Sequence, residues 1–178
     1  MKKLLLIAFI ICSFQTMKAQ LTFGLHGNFE YSLKKTGGLS TPLLGPGLEV
    51  SYGILKEKLD VGLMVQHRWT LNWPDNPAVT SYMAKFRYFV SSNDRKMRVY
   101  AAIGLGFYKR KEEIHFINEP AMVLKEDGVV VMPQIGIVVP LKFLKNAFVD
   151  MNFYYQDYSQ KTRPSGIGIN VGLMYRLN

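Results

Sequence analysis

The stretch Leu21-Thr22-Phe23-Gly24-Leu25-His26-Gly27-Asn28-Phe29-Glu30-Tyr31-Ser32-Leu33 alternates with a period of two. Its odd positions are apolar except Gly27, and its even positions are Thr, Gly, His, Asn, Glu and Ser. A helix would mix these two sets around its axis, whereas a strand sorts them onto opposite faces. The same pattern returns downstream, with Leu48-Val50-Tyr52-Ile54 against Glu49-Ser51-Gly53 and Leu59-Val61-Leu63-Val65 against Asp60-Gly62-Met64-Gln66. Only a few residues, including Lys56-Glu57-Lys58, separate these two runs, which therefore read as a hairpin.

Working outward, Tyr82-Ala84-Phe86-Tyr88-Val90 alternates with Ser81-Met83-Lys85-Arg87-Phe89, and Val99-Ala101-Ile103-Leu105-Phe107 with Arg98-Tyr100-Ala102-Gly104-Gly106. A sixth strand is expected from about Val129 to Leu141, although Pro133 and Pro140 lack the amide that a ladder uses. Either a bulge absorbs Pro133 or the strand is shorter. Val149-Met151-Phe153-Tyr155 opposes Asp150-Asn152-Tyr154-Gln156, and Ile167 through Leu177 opposes Gly168-Asn170-Gly172-Met174-Arg176. The sum is eight strands of about ten to thirteen residues, where a soluble strand has about five or six and a tilted membrane strand needs ~9–11. Long connections (Lys34–Leu44, Asn72–Val79, Lys109–Gly128, Ser159–Ser165) alternate with short ones (Lys56–Lys58, Ser91–Lys96, Lys142–Asn146), as loops and periplasmic turns do in a membrane barrel.

An exported soluble lipocalin-like barrel that binds a ligand inside shows the same alternation with its faces exchanged. Three features place the apolar set outside. It is almost free of charge and carries aromatics near strand ends: Tyr31, Tyr52, Trp69, Tyr82, Tyr88, Phe107, Tyr155 and Tyr175. The opposite set is rich in glycine, which suits a crowded lumen, and the strands exceed what a lipocalin needs. The fold class is thus all-β, an eight-stranded antiparallel up-and-down transmembrane β-barrel. Over residues 21–178 the pattern resembles the eight-stranded outer-membrane barrels of the OmpX and OmpA transmembrane-domain type, within the porin-like outer-membrane β-barrel superfamily. Such proteins usually end in an aromatic residue; here Tyr175 is in phase and Asn178 is terminal. The resemblance implies the outer membrane of a Gram-negative bacterium, with outer-membrane lipids, lipopolysaccharide and the outer-membrane assembly machinery as partners.

The N-terminus fits that address. Lys2 and Lys3 precede the apolar run Leu4 to Cys12, and Met17-Lys18-Ala19-Gln20 offers a cut after Ala19, so residues 1–19 read as a cleaved signal peptide and 20–178 as the barrel. Cleavage takes three of the 22 lysines and arginines, leaving 19 against 13 acids, a charge of +6. The single cysteine, Cys12, leaves with it, which excludes a disulfide framework and a cysteine-based zinc site. In the envelope this surplus points to anionic lipid head groups and surface polysaccharide, and nucleic acid is not an expected partner.

Eight strands enclose a space that side chains just fill. The inferred lumen holds Glu30, Glu49, Asp60 and Asp150 with Arg68, Lys85, Arg87, Arg98 and Arg176, and buried charges persist only when paired. This lumen charge network reads as structural, with a narrow ion path or small-solute channel as the alternative. The histidines stand in His26-Gly27-Asn28, His67-Arg68-Trp69 and His115-Phe116-Ile117, so the His-x-Ser signature of lipid A deacylases is absent. His26 is expected in the lumen beside Glu30, His67 at the outer rim and His115 in a loop. No catalytic residue, metal site or cofactor is predicted, and the chain reads as a non-enzyme. Its expected role is envelope stabilisation, or interaction with a protein or glycan through extracellular loops. Within Lys109–Gly128, Ile114 and Phe116 hint that the strands run on as a protruding sheet, against the plainer reading of a solvated loop. Trp73, Lys142, Lys145 and the Lys34-Lys35 pair are expected to anchor head-group layers.

Overall fold

The computed structural model describes residues 20–33, 42–54, 58–70, 78–90, 97–114, 122–159 and 165–177. The expected signal peptide, Lys34, Lys35, Trp73, His115 and Asn178 lie outside the described residues. Eight strands follow one another: β1 (Gln20–Ser32), β2 (Leu43–Ile54), β3 (Leu59–Thr70), β4 (Ala78–Phe89), β5 (Arg98–Ile114), β6 (Met122–Pro140), β7 (Ala147–Tyr158) and β8 (Gly166–Leu177). Each pairs antiparallel with its neighbours in sequence, and β1 pairs with β8 from Leu21↔Leu177 to Ser32↔Gly166, closing the barrel. Closure leaves no sheet edge within the ring, the condition a β-structure must meet in hydrocarbon.

The faces are those of a membrane barrel. Leu25, Leu48 and Leu63 are 59%, 62% and 69% exposed on the outside, while Glu49, Arg87 and Asp150 are 2%, 1% and 0% exposed within. The aromatics sort toward the two ends of the outer face. Tyr31, Trp69, Tyr82, Phe107 and Tyr155 lie toward the end that carries the long connections; Tyr52, Tyr88 and Tyr175 lie toward the end with the short turns. At that second end the β6–β7 turn is closed by Leu141 N–H donating to the Ala147 carbonyl at 2.9 Å. Its last residue, Asn146, has φ 68°, a left-handed conformation that asparagine tolerates better than most residues.

Two sequence expectations are corrected. The sixth strand is neither short nor bulged out of the sheet: β6 spans Met122–Pro140 and pairs with β5 without a break, Ile103↔Pro133 included. The missing amide is felt on the other side, where β6–β7 pairing stops at Val131↔Asp157 and resumes at Gln134↔Tyr154. Likewise the segment Lys109–Gly128 is largely strand, with the ladder running up to Ile114↔Met122. Pro46 of β2 acts as Pro133 does. It pairs with Gly27 of β1, but β2–β3 pairing lapses between Leu44↔Trp69 and Gly47↔Gln66. The two lapses divide the ring into β3–β6 and β7–β8–β1–β2, four strands each, so they lie on opposite sides of the barrel.

Inside, large side chains lie where glycines make room. A Cβ on Gly168 would overlap the Tyr154 ring and the Phe29 carbonyl, and one on Gly172 would overlap the His26 imidazole. The lumen is also partly apolar. Met64, Met83, Met132 and Tyr108 pack with Tyr154 and Tyr158 toward the loop end, and Phe89, Tyr100 and Val138 pack toward the turn end.

Candidate functional site

All nine charged residues expected in the lumen project inward from alternate positions of β1 to β5, β7 and β8. They do not form one network. Toward the loop end, Arg68 of β3 is fully buried and pairs with Glu30 of β1. The same guanidinium donates to Gln156 Oε1 of β7 at 2.6 Å and to Ser81 Oγ of β4 at 2.9 Å. Glu30 also accepts from the Tyr158 hydroxyl at 3.1 Å, and Gln156 Nε2 donates back to Ser81 at 3.4 Å. Arg68 can serve this many acceptors because its planar fork carries five N–H donors.

Toward the turn end a second cluster gathers around Glu49 of β2. Lys85 Nζ donates to Glu49 Oε2 at 2.7 Å, and Arg87 Nη2 to Glu49 Oε1 at 2.8 Å. Arg87 extends to Asp60 at 3.5 Å and to Asp150 at 3.4 Å, and the Tyr100 hydroxyl donates to Asp150 Oδ1 at 2.7 Å. Arg98 and Arg176 sit on aromatic rings, with Cζ 3.6 Å from the Phe89 centroid and 5.0 Å from that of Phe148. These cation–π contacts keep both guanidinium groups at the margin of the acidic cluster.

Between the clusters lies a neutral layer. Gln66 Nε2 donates to Asn28 Oδ1 at 2.8 Å, Asn28 donates to the Gly45 carbonyl at 3.0 Å, and Asn170 donates to Asn152 at 3.0 Å. His26 belongs at the border of this layer with the lower cluster. It is not beside Glu30 as expected: its Nε2 lies 3.5 Å from Glu49 and its Nδ1 3.9 Å from Asp150. Residues four apart on one strand face are separated by ~13 Å, whereas the stagger of a barrel brings unrelated positions on other strands together. His26, Glu49 and Asp150 offer ligand atoms within 4.8 Å of one another. Both carboxylates are already bound by Lys85, Arg87 and Tyr100, a cationic setting that suits charge packing and opposes a metal ion. His67 lies on the outer face, as expected, with Nδ1 2.8 Å from Thr80 Oγ1.

Most bonds in both clusters join one half of the ring to the other. Arg68 reaches from β3 to β1 and β7; Lys85 and Arg87 reach from β4 to β2 and β7; Tyr100 reaches from β5 to β7. Only Arg87–Asp60 and Arg68–Ser81, among the bonds of these cations to acids or hydroxyls described above, stay within a half. Moreover, Arg68 and Gln156 stand at the two ladder lapses, so their hydrogen bond spans the lumen from one lapse to the other. Sequence alternation identified the charges. It also put Ser81, Tyr100 and Gln156 on the polar face, but the expected network was drawn from charges alone and left out these three and Tyr158, which sit in phase with them.

No family profile matches the sequence, and no curated protein matches it in sequence. Solved structures do match in shape. A major outer membrane protein from Thermus thermophilus aligns with TM-score 0.71 at 11% identity over 90% of this chain and 100% of its own. Neisserial surface protein A aligns with TM-score 0.66 at 11% identity over 89% and 97%. Ail, the attachment invasion locus protein of Yersinia pestis, solved with the heparin analogue sucrose octasulfate, aligns with TM-score 0.60 at 15% identity over 90% and 100%. Likeness at this identity is likeness of architecture, and the chain has the fold of the eight-stranded outer-membrane β-barrels.

Proposed function

We propose that this protein is a non-enzymatic integral barrel of a Gram-negative outer membrane that acts through its outer surfaces, stabilising the envelope and presenting the β5–β6 hairpin for interaction. The observation that carries the reading is a lumen closed at two levels by interlocked side chains, inside a wall that is apolar outside. A soluble ligand-binding barrel has these faces exchanged. A solute channel would need the Arg68 and Glu49 clusters to part, and each is tied to several strands.

The surface role rests on strand length. β5 and β6 have 17 and 19 residues, whereas β2, β3 and β4 have 12. Pairs Glu112↔Leu124 to Ile114↔Met122 stand above the last β4 partner at Lys111. The test is complementation of a deletion strain, read as entry of a large dye that an intact outer membrane excludes. Full-length protein is expected to restore exclusion. Restoration by a variant with residues 112–124 replaced by Asn-Gly assigns the role to the barrel wall; loss of restoration, with the variant present in the membrane, assigns it to the hairpin. Unchanged dye entry on deletion would overturn the envelope role.

A further inference from the structure

His26 enters the lumen from β1 through a slot that two glycines leave open. A Cβ on Gly24, two residues earlier on the strand, would stand 2.7 Å from its Nε2, and one on Gly172, its partner on β8, would overlap its Nδ1. The residue is 1% exposed, and neither ring nitrogen has a hydrogen-bond partner. Each nitrogen faces an acid instead, Nε2 at 3.5 Å from Glu49 Oε2 and Nδ1 at 3.9 Å from Asp150 Oδ2, both beyond the usual hydrogen-bond length. A neutral imidazole carries a proton on one nitrogen and a lone pair on the other. Whichever tautomer His26 takes, that lone pair points at a buried carboxylate. Only the imidazolium, with a donor at each nitrogen, suits both acids.

The surrounding charges make that proton conditional. On β4, Lys85 Nζ donates to the same Glu49 Oε2 and Arg87 Nη2 to the same Asp150 Oδ2, so a third cation at these oxygens is repelled by two. The Tyr100 hydroxyl of β5 holds the other Asp150 oxygen, and Asp60 of β3 adds a third acid beside Arg87. Arg98 of β5 and Arg176 of β8 stand toward the turn end, on the Phe89 and Phe148 rings. In the inner group Lys85 and Arg87 thus meet Glu49, Asp60 and Asp150, and a protonated His26 makes the charges three against three. Among the described charges of this cluster, β1 contributes His26 alone. We propose that His26 is a proton-operated lock of the lower lumen. Protonated, it ties β1 to β2 through Glu49 and to β7 through Asp150; deprotonated, it releases both ties. The lock rests on the lumen geometry and is separate from the surface role proposed above.

The sequence has three histidines, so His67→Gln with His115→Gln leaves His26 as the only imidazole. That protein, refolded in phosphatidylcholine vesicles, would be unfolded with urea at a series of pH values from about 8 down to about 5.5, the span in which imidazoles change charge. A proton held more tightly in the folded state adds stability at low pH that is lost as pH rises. The unfolding equilibrium constant is therefore expected to rise with pH, by at most about tenfold per pH unit, the limit for one proton. His26→Gln in the same background is expected to remove this rise, and groups common to both proteins cancel in the comparison. Should His26→Gln fail to refold, the ring nitrogen resonances of the single-histidine protein decide, with both nitrogens expected to be protonated at the acid end. Equal pH dependence in the two proteins overturns the lock. So does a folded state that loses stability on acidification only when His26 is present, or a His26 ring that stays neutral at the acid end.

Discussion

Arg68 concentrates the physical tension of this lumen in one side chain. It is a fully buried cation, and its stability comes from Glu30, Gln156 and Ser81 replacing the water it lost. Removing it strands the Glu30 carboxylate. Arg68→Met is therefore expected to lower unfolding free energy by about 3–5 kcal/mol, read from urea unfolding in lipid vesicles by tryptophan fluorescence. Arg68→Met combined with Glu30→Leu is expected to cost clearly less, because no unpaired charge is left. A double variant as unstable as the sum of the two single ones would show that the pair is not the source of the effect. At this scale the sequence was informative about identity and face but not about partners. The inward phase of Glu30, Arg68 and Arg87 is fixed by period two, whereas the company of His26 depends on how far each strand slides past the next, which local sequence does not encode.

Proline sets the character of β6. Pro133 has no N–H, so the facing β7 carbonyl receives no ladder bond from it, yet the strand continues because its β5 side is intact. Pro133→Val restores a donor without changing the apolar outer face. The expected result is slower amide exchange at Tyr155, whose N–H faces β6, and a gain of about 1 kcal/mol in stability, the net worth of one hydrogen bond. Unchanged exchange at that amide would mean the lapse has another cause. Seven of the eight strands were legible from alternation and turn residues alone. β6 and the upper half of β5 were obscured because Lys109-Arg110-Lys111-Glu112-Glu113 and Lys125-Glu126-Asp127 break the apolar phase that marks a strand in lipid. Above the membrane that phase has no reason to persist, since both faces meet water and Arg110 and Glu126 come within 3.9 Å across the ladder.

For the molecule as a whole, the closed ring and the two lumen clusters act together. Hydrogen-bonded ladders close the ring apart from the two short lapses, and buried side chains add bonds between its halves across the lumen. Native protein in a planar bilayer is expected to show no steady conductance. Arg68→Ser with Arg87→Ser, provided it still folds with a heat-dependent gel shift, is expected to conduct, since each change removes a bulky guanidinium from one of the two levels. Steady current through the native protein would place the Arg68 and Arg87 clusters on an ion path instead. The two ladder lapses carry a mechanical consequence. A cylinder notched at one level on two opposite sides yields there first, its cross-section passing from a circle toward an ellipse. At that level the Arg68–Gln156 bond adds to the wall's resistance to squeezing by the surrounding leaflet, running from one notch to the other like a tie-rod across an arch.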